Sequence, residues 1–177
     1  MVVRLATRSD IPELVDLMHE FYAESSFPLD REWAWRAFAG LIDEPVHGVV
    51  WIIEDEGHAI GHVVLSVRFA MEFGGLSGHI DDLFVRPPHR RRGAASAGLD
   101  ALLSECRRRG CRSLHVEVGS DNHAAKALYQ RYGLVPGQDR REALRAELPA
   151  TAATTAGTGS EPSQHSNDDR ARENIGP

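Results

Sequence analysis

The feature that most constrains this chain is a predicted strand that leads through a short turn into a predicted helix. Residues 80–85 form the run IDDLFV, Pro87-Pro88 provides a turn, and Gly93 with small residues opens a helix. The helix carries an apolar stripe at helical spacing, formed by Leu99, Leu102, Leu103 and Cys106. Because such a stripe must be buried against another layer, this segment predicts a helix packed on a sheet.

The remaining periodicities give the order of the elements along the chain. A strand is predicted over residues 2–6, helices start near residues 10 and 30, and residues 49–67 form a hairpin with a turn at 55–57. Beyond the helix described above, SLHVEV is a strand and SDNHAAKALYQRYG is a helix. A further, degenerate strand is expected near Leu134 and Val135. The predicted order is therefore βααβββαβαβ.

Composition changes near residue 149 and suggests where the domain ends. Residues 149–177 are rich in Ala, Thr, Gly and Ser without apolar periodicity, so we expect a disordered tail there and one domain over residues 1–148. A chain of 177 residues is long enough for one well-buried domain. The N-terminus lacks the apolar core of a signal peptide, and no stretch approaches about 18 apolar residues. We expect a cytoplasmic protein without membrane contact.

The three arginines at residues 90–92 raise the question of which ligand they serve. A formal charge of −6 and the lack of interleaved aromatic residues argue against nucleic acid. The arginines precede a helix N-terminus, where unpaired amides and the helix dipole attract anions. Gly93 and Ala95 have no bulk that would keep a pyrophosphate away from those amides. By spacing alone, a phosphate site and a solvated, charged helix start remain open.

The cysteines and histidines do not indicate a metal or a disulfide. Cys106 and Cys111 match no zinc or redox spacing, and we expect reduced, half-buried thiols. His58 and His62 are four residues apart in a predicted strand, where that spacing does not bring two side chains together. We therefore expect no metal site.

Two motifs resemble those of a known family. The segment IDDLFVRPPHRRRGAASAGLDALL resembles motif A of the GNAT superfamily of acyl-CoA N-acyltransferases. In that motif a strand ending in Val-x-Pro precedes (Gln/Arg)-x-x-Gly-x-(Gly/Ala) at a helix start. EVGSDNHAAKALYQRYGL resembles motif B, Asn-x-x-Ala-x-x-x-Tyr-x-x-x-Gly-(Phe/Leu). The matching positions are Arg90, Gly93 and Ala95 in motif A, and Asn122, Ala125, Tyr129, Gly133 and Leu134 in motif B.

The resemblance implies an α/β (α+β) fold with a mixed, mostly antiparallel central sheet flanked by helices. It also implies acetyl transfer from acetyl-CoA to an amine, and it allows a homodimer. The pyrophosphate would bind the backbone of residues 91–96, and the pantetheine arm would bind the backbone of residues 83–85 and Asn122. The residues assigned to acetyl-CoA are Leu83, Phe84, Val85, Arg90, Arg91, Arg92, Gly93, Ala94, Ala95, Ser96 and Asn122. Arg91 departs from the family, which commonly has glycine there.

Acetyl transfer to an amine needs a base and an acid. An alkyl ammonium with a pKa of about 10.4 must lose its proton before it can attack, usually to a carboxylate. Residues 80–85 are similar to the Leu-Glu-Asp-Phe-Phe-Val strand of spermidine/spermine acetyltransferases, which by position makes Asp81 the base and Asp82 a cation-binding partner. In a regular strand these two side chains point to opposite faces unless a bulge intervenes. Tyr129 holds the position of the family's acid.

Several assignments at the acceptor side stay open. Asp82, His79 and Glu117 are alternative bases, and Asp81 and Asp82 could instead be ordinary strand carboxylates. Trp33 is expected in the core. The predicted acceptor contacts are Asp82, Glu117, Glu72 and Tyr22. They suit a small cationic primary amine better than a protein N-terminus, and a catalytically silent domain that binds acyl-CoA as a sensor is the alternative.

Overall fold

The computed structural model of the chain describes residues 1–137 and residue 146. The regular elements among these described residues lie in the compact unit Met1–Gly137. Their order is β1 (Val2–Leu5), α1 (Ile11–Glu24), α2 (Arg31–Asp43), β2 (Gly48–Asp55), β3 (His58–Ala70), β4 (Gly75–Val85), α3 (Ala94–Arg109), β5 (Ser113–Val116) and α4 (His123–Arg131). Short 3-10 turns lie at Arg8–Asp10, Met71–Phe73 and Pro87–His89.

The five strands form one sheet in chain order, from β1 to β5. The first three pairings are antiparallel and the pairing of β4 with β5 is parallel, so the predicted mixed, mostly antiparallel sheet is confirmed. Strand β5 pairs only with residues 77–80 of β4, so residues 81–85 have no strand neighbour on that side within the described chain. A free edge of this kind offers backbone groups to an extended ligand.

A β-bulge interrupts the pairing of β3 with β4. Val64 pairs with Asp82, whereas the next residue, Leu65, pairs with Ile80, so that Asp81 is the extra residue on β4. A bulge breaks the strict alternation of side chains between the two faces of a strand. Because of this bulge, the side chains of Asp81 and Asp82 can reach the same site.

Helices cover both faces of the sheet. Helices α1 and α2 pack over one face, in a core that includes Leu14, Ile52 and Phe84. Helix α3 packs over the other face, where Leu99 and Leu102 are 1% and 0% exposed. Burial of each such leucine stabilises the fold by about 1.5–3 kcal/mol. None of the helices in the described residues is long and apolar enough to cross a bilayer.

The end of the described region departs from the predicted element order. Residues 134–137 have no regular secondary structure, so the degenerate strand expected near Leu134 and Val135 is not formed there. The Leu134 amide instead donates to the Tyr129 carbonyl over 3.1 Å at the end of α4, and Pro136 has no amide to give to a sheet. The expected domain boundary after residue 148 and the expected tail over 149–177 lie outside the described residues.

Candidate functional site

The loop between β4 and α3 leads into a helix start whose first backbone amides are free to bind an anion. Gly93 precedes α3 with a φ of 87°, and Arg91 also has a positive φ, of 64°. Glycine adopts this left-handed conformation easily and arginine only rarely. The first amides of α3 have no acceptor within the helix, and the helix dipole adds partial positive charge. The loop and the helix start therefore suit a phosphate group.

A cavity of about 560 Å³, here called the large cavity, connects this helix start with the free edge of β4 and with α4. Every residue assigned to acetyl-CoA from the sequence lines it except Arg92: Leu83, Phe84, Val85, Arg90, Arg91, Gly93, Ala94, Ala95, Ser96 and Asn122. Arg92 is exposed outside it. A helix start, a free strand edge and an apolar wall in one cavity fit the phosphates and the extended arm of acetyl-CoA.

Arg90 is held by its neighbours within the large cavity. Its Nε donates to the Val85 carbonyl over 2.7 Å, and its guanidinium forms an ion pair with Glu24 of α1. The guanidinium carbon also lies 5.7 Å from the centre of the Phe84 ring. The Val85 carbonyl, which was expected to pair with pantetheine, is therefore already engaged. Arg90 stabilises the turn between β4 and α3.

Helix α4 contributes Asn122 and Tyr129 to the wall of the large cavity. Asn122 caps the helix, because its side-chain oxygen accepts a hydrogen bond of 3.0 Å from the Ala125 amide. Tyr129 is 7% exposed. Burial, and after it the charge of Asp82, raises the pKa of Tyr129 to about 12. The phenol is therefore protonated at neutral pH and can donate to a group in the cavity.

A second cavity of about 340 Å³, the small cavity, lies between α1 and α2 on one side and β3 and β4 on the other. Its polar lining consists of Tyr22, Asp81 and Asp82. The rest is apolar and consists of Met18, Trp33, Ala37, Phe38, Leu41 and Val64. Burial, followed by the charges of Asp82 and Asp81, raises the pKa of Tyr22. The two carboxylates and the phenol are thus close enough to interact.

Each aspartate of the small cavity has a histidine beside it. His79 Nε2 lies 3.9 Å from Asp81 Oδ1, and His62 Nε2 lies 3.6 Å from Asp82 Oδ2. The His62 side chain is completely buried, and neither of its ring nitrogens has a hydrogen-bond partner within the described chain. Loss of hydration is the main reason why the pKa of Asp81 is raised, against the opposing effects of Ser66 and His79. Asp81 is therefore a stronger base than an ordinary exposed carboxylate.

Three residues lie elsewhere than the sequence suggested. Glu72, in the turn Met71–Phe73, and Glu117, just beyond β5, are exposed and line neither cavity. Trp33 was expected in the core, but it is 50% exposed and lines the small cavity. Asp30 caps α2 by accepting hydrogen bonds from the amides of Glu32 and Trp33, which fixes Trp33 in the first helical turn.

Sequence reasoning missed most of the apolar lining of the small cavity and also His62. A signal existed on α2, where Trp33, Ala37 and Leu41 recur every four residues. Helical periodicity marks one face of a helix, but it does not separate a face packed in the core from a face that lines a cavity. His62 left no signal, because one histidine in an apolar strand is compatible with many environments.

The fold is that of an α/β protein whose large cavity suits a phosphorylated acyl carrier extended along a free strand edge. The sequence profile of the Acetyltransferase (GNAT) family matches residues 11–134. The chain belongs to this family and is accordingly an acetyl-CoA-dependent N-acetyltransferase of the GNAT type.

One curated relative has an N-acetyltransferase name, and two solved structures share the fold. A protein of Bacillus subtilis (strain 168), provisionally named ribosomal protein bS18-alanine N-acetyltransferase, is 24% identical over 141 residues, which cover 80% of this chain and 87% of that protein. The integron cassette protein HFX_CASS3, from the mobile metagenome of Cole Harbour Salt Marsh, is 37% identical with a TM-score of 0.75, over 83% of this chain and 91% of that one. A protein of Clostridium acetobutylicum described as a predicted acetyltransferase and solved with acetyl-CoA is 21% identical with a TM-score of 0.69, over 81% and 95% of the two chains.

Proposed function

We propose that the enzyme acetylates the primary amine of a small cationic acceptor that binds in the small cavity. The observation that carries this proposal is the bulge in β4, which is accompanied by two adjacent carboxylates, Asp81 and Asp82, in one cavity. Two carboxylates with no lysine or arginine among the described lining residues favour a cation. The similarity of residues 80–85 to the strand of spermidine/spermine acetyltransferases supports the roles of Asp81 as base and Asp82 as cation contact, and not a polyamine as the acceptor.

The arrangement of the two cavities along β4 supports direct transfer between two bound substrates. Asp81 and Asp82 line the small cavity, and residues 83–85, which follow them directly, line the large cavity. The charge of Asp82 also raises the pKa of Tyr129, which lines the large cavity. An amine beside the carboxylates and a thioester beside the phenol would therefore be neighbours.

The roles of the residues follow from the needs of the reaction. Acetyl-CoA supplies a thioester whose carbonyl carbon the neutral amine attacks, with release of the CoA thiolate. Asp81 accepts the proton of the ammonium, directly or through a water, and so frees the nitrogen lone pair. Asp82 holds the cation. The backbone amides at the free edge of β4 donate to the thioester oxygen as it gains charge, and the Tyr129 hydroxyl donates to the departing sulfur.

The test is the release of CoA thiol from acetyl-CoA with a panel of primary amines. Asp81→Asn should lower kcat by about 10²–10⁴-fold, the range for loss of a general base. Because the pKa of Asp81 is raised, the wild-type rate should fall as the pH drops through that raised value, and the variant should lose this acidic limb. Glu117→Gln is the matched control, since Glu117 lines neither cavity, and it should keep the wild-type rate.

Two outcomes would contradict the proposal at different points. An unchanged rate and pH profile in Asp81→Asn would show that Asp81 is not the base, and a loss of rate in Glu117→Gln would point to Glu117. Acetyl-CoA binding without thiol release for any amine would instead favour a silent acyl-CoA-binding domain. The name of the Bacillus subtilis relative also places a peptide that begins with alanine in the panel.

A further inference from the structure

We infer that the acceptor is a monoamine whose carbon skeleton is aromatic or aliphatic and carries no carboxylate. This inference rests on the proposed function, because it identifies which amines the small cavity takes. A volume of about 340 Å³ is at the lower end of the range for small-molecule sites, about 300–1,000 Å³. The residues that line the cavity restrict the class of amine further.

The walls of the small cavity favour an apolar skeleton. Apart from the two aspartates and Tyr22, every lining residue is apolar: Met18, Trp33, Ala37, Phe38, Leu41 and Val64. Apolar carbon that moves from water to such walls gains free energy in proportion to the area covered. A polar skeleton would lose its hydration and find few hydrogen-bond partners in return.

Aromatic rings form a large part of the lining and suit an ammonium with an aromatic or aliphatic substituent. Tyr22, Trp33 and Phe38 belong to two different helices, α1 and α2, and line the same cavity. The face of such a ring attracts a cation and also packs against an aromatic or aliphatic group. Trp33 is half exposed, so a bound skeleton would cover apolar surface that now faces solvent.

The position of the negative charge limits the acceptor to one ammonium within the cavity. Asp81 and Asp82 are adjacent in sequence, and no other described residue of the lining is acidic. The second ammonium of a short diamine would have to lie against residues such as Leu41 or Phe38, or leave the cavity. The first arrangement buries an unpaired charge, and the second gives up the apolar contacts. Polyamines are therefore disfavoured as acceptors.

A carboxylate on the acceptor would also be unfavourable. The lining within the described chain has no lysine, arginine or histidine, and Tyr22 is the one hydroxyl donor in it. The carboxylate of an amino acid is one carbon away from its amine, so it would lie in the field of Asp81 and Asp82 and be repelled. The cavity should therefore discriminate between an amine and the corresponding amino acid.

Two matched pairs of acceptors test these limits. 2-Phenylethylamine and phenylalanine differ by the carboxylate, and pentylamine and 1,5-diaminopentane differ by the second ammonium. We expect kcat/KM to be at least about tenfold higher for the first member of each pair, because the second leaves a charge without a partner. Equal values in either pair, or higher values for the second member, would overturn the inference.

A pair of tryptophan variants ties the preference to the small cavity. Trp33 and Trp35 both lie on α2 and are 50% and 44% exposed, but only Trp33 lines the cavity. Trp33→Ala should raise KM for 2-phenylethylamine by roughly tenfold and leave KM for acetyl-CoA unchanged, the effect of a lost apolar wall. Trp35→Ala should change neither constant. The same response in both variants would overturn the inference.

Calorimetry separates failure of this inference from failure of the proposed function. Each of the four compounds is titrated into the full chain saturated with CoA. Preferred binding of 2-phenylethylamine and pentylamine without turnover of any amine would remove the proposed function and keep the class of ligand. Turnover without the expected order of kcat/KM within the pairs would keep the proposed function and overturn the inferred class of acceptor. Neither binding nor turnover would overturn both.

Discussion

Arg91 has a left-handed backbone conformation in the loop that enters α3, with a φ of 64°. The family motif commonly has glycine at this position, and for an L-residue the conformation costs roughly 1–2 kcal/mol. The loop lines the large cavity, so Arg91 keeps this conformation next to the expected phosphates. The departure from the motif that was visible in the sequence is therefore a position of backbone strain.

Two variants of Arg91 separate strain from charge. Arg91→Gly and Arg91→Ala both remove the guanidinium, but only alanine keeps the side-chain Cβ that disfavours a positive φ. We expect Arg91→Ala to be about 1 kcal/mol less stable than Arg91→Gly by urea denaturation. Their affinities for acetyl-CoA should fall to a similar extent. Equal stability of the two variants would mean that the loop relaxes to another conformation.

Some single residues could be placed from the sequence, and others could not. Gly93 and Ala95 were predictable as lining of the large cavity, because small side chains at a helix start leave the first amides of the helix open to an anion. Their contact with a phosphate stays a prediction. Trp33 and His62 could not be assigned, because their environments depend on segments distant in the chain. His62 lies near the Phe38 ring of α2 and next to Asp82 of β4, and neither neighbour can be read from its own strand.

At the scale of elements, the bulge in β4 decides how the candidate site is built. The sequence of β4 predicts a strand with two adjacent aspartates, but the extra residue arises from the register between β3 and β4. Register is set by the pairing of two strands and not by either strand alone. The short length of β5 is likewise what frees residues 81–85 at the sheet edge.

Gly61 tests how closely the pairing of β3 with β4 supports the large cavity. A Cβ at Gly61 would lie 2.3 Å from the carbonyl oxygen of Phe84, a backbone atom that can move only if β4 moves. Gly61→Ala should therefore destabilise the fold by about 1–3 kcal/mol, the usual cost of overpacking. It should also weaken acetyl-CoA binding in calorimetry, because Phe84 lines the large cavity.

Gly40 provides the matched control for this substitution. It lies within α2, and a Cβ there would have no neighbour within 4 Å among the described residues. Gly40→Ala should stabilise the fold by about 0.5–1 kcal/mol, because alanine is the better helix former. The affinity for acetyl-CoA should not change. Wild-type stability and affinity in Gly61→Ala would show that β4 adjusts without consequence for the cavity.

At the scale of the whole molecule, α1 and β4 connect the two cavities. Arg86, which follows β4, pairs with Glu20 of α1 at 2.7 Å and with Glu13 at 3.1 Å. The same helix supplies Phe21 to the large cavity and Tyr22 to the small cavity. Two elements therefore form walls of both cavities, which is the arrangement that the proposed direct transfer requires.

The cysteines do not provide an alternative route through an acetylated enzyme. Neither Cys106 nor Cys111 lines either cavity. Cys106 is 5% exposed, and burial, followed by the influence of Cys111, raises its pKa to about 12. A thiol with such a pKa is protonated at neutral pH, whereas the thiolate is the nucleophile. Transfer should therefore go directly from the thioester to the amine.

Direct transfer predicts a sequential kinetic mechanism. Reciprocal plots of initial rate against acetyl-CoA at several amine concentrations should intersect, because both substrates must be bound before acetyl moves. Labelled CoA should not exchange into acetyl-CoA when the amine is left out, because no acetyl-enzyme forms. Cys111→Ser, which removes the more exposed thiol, should keep the wild-type kcat. Parallel plots together with exchange in the absence of amine would show that an enzyme group carries the acetyl, and Asp81 and Tyr129 would then need other roles.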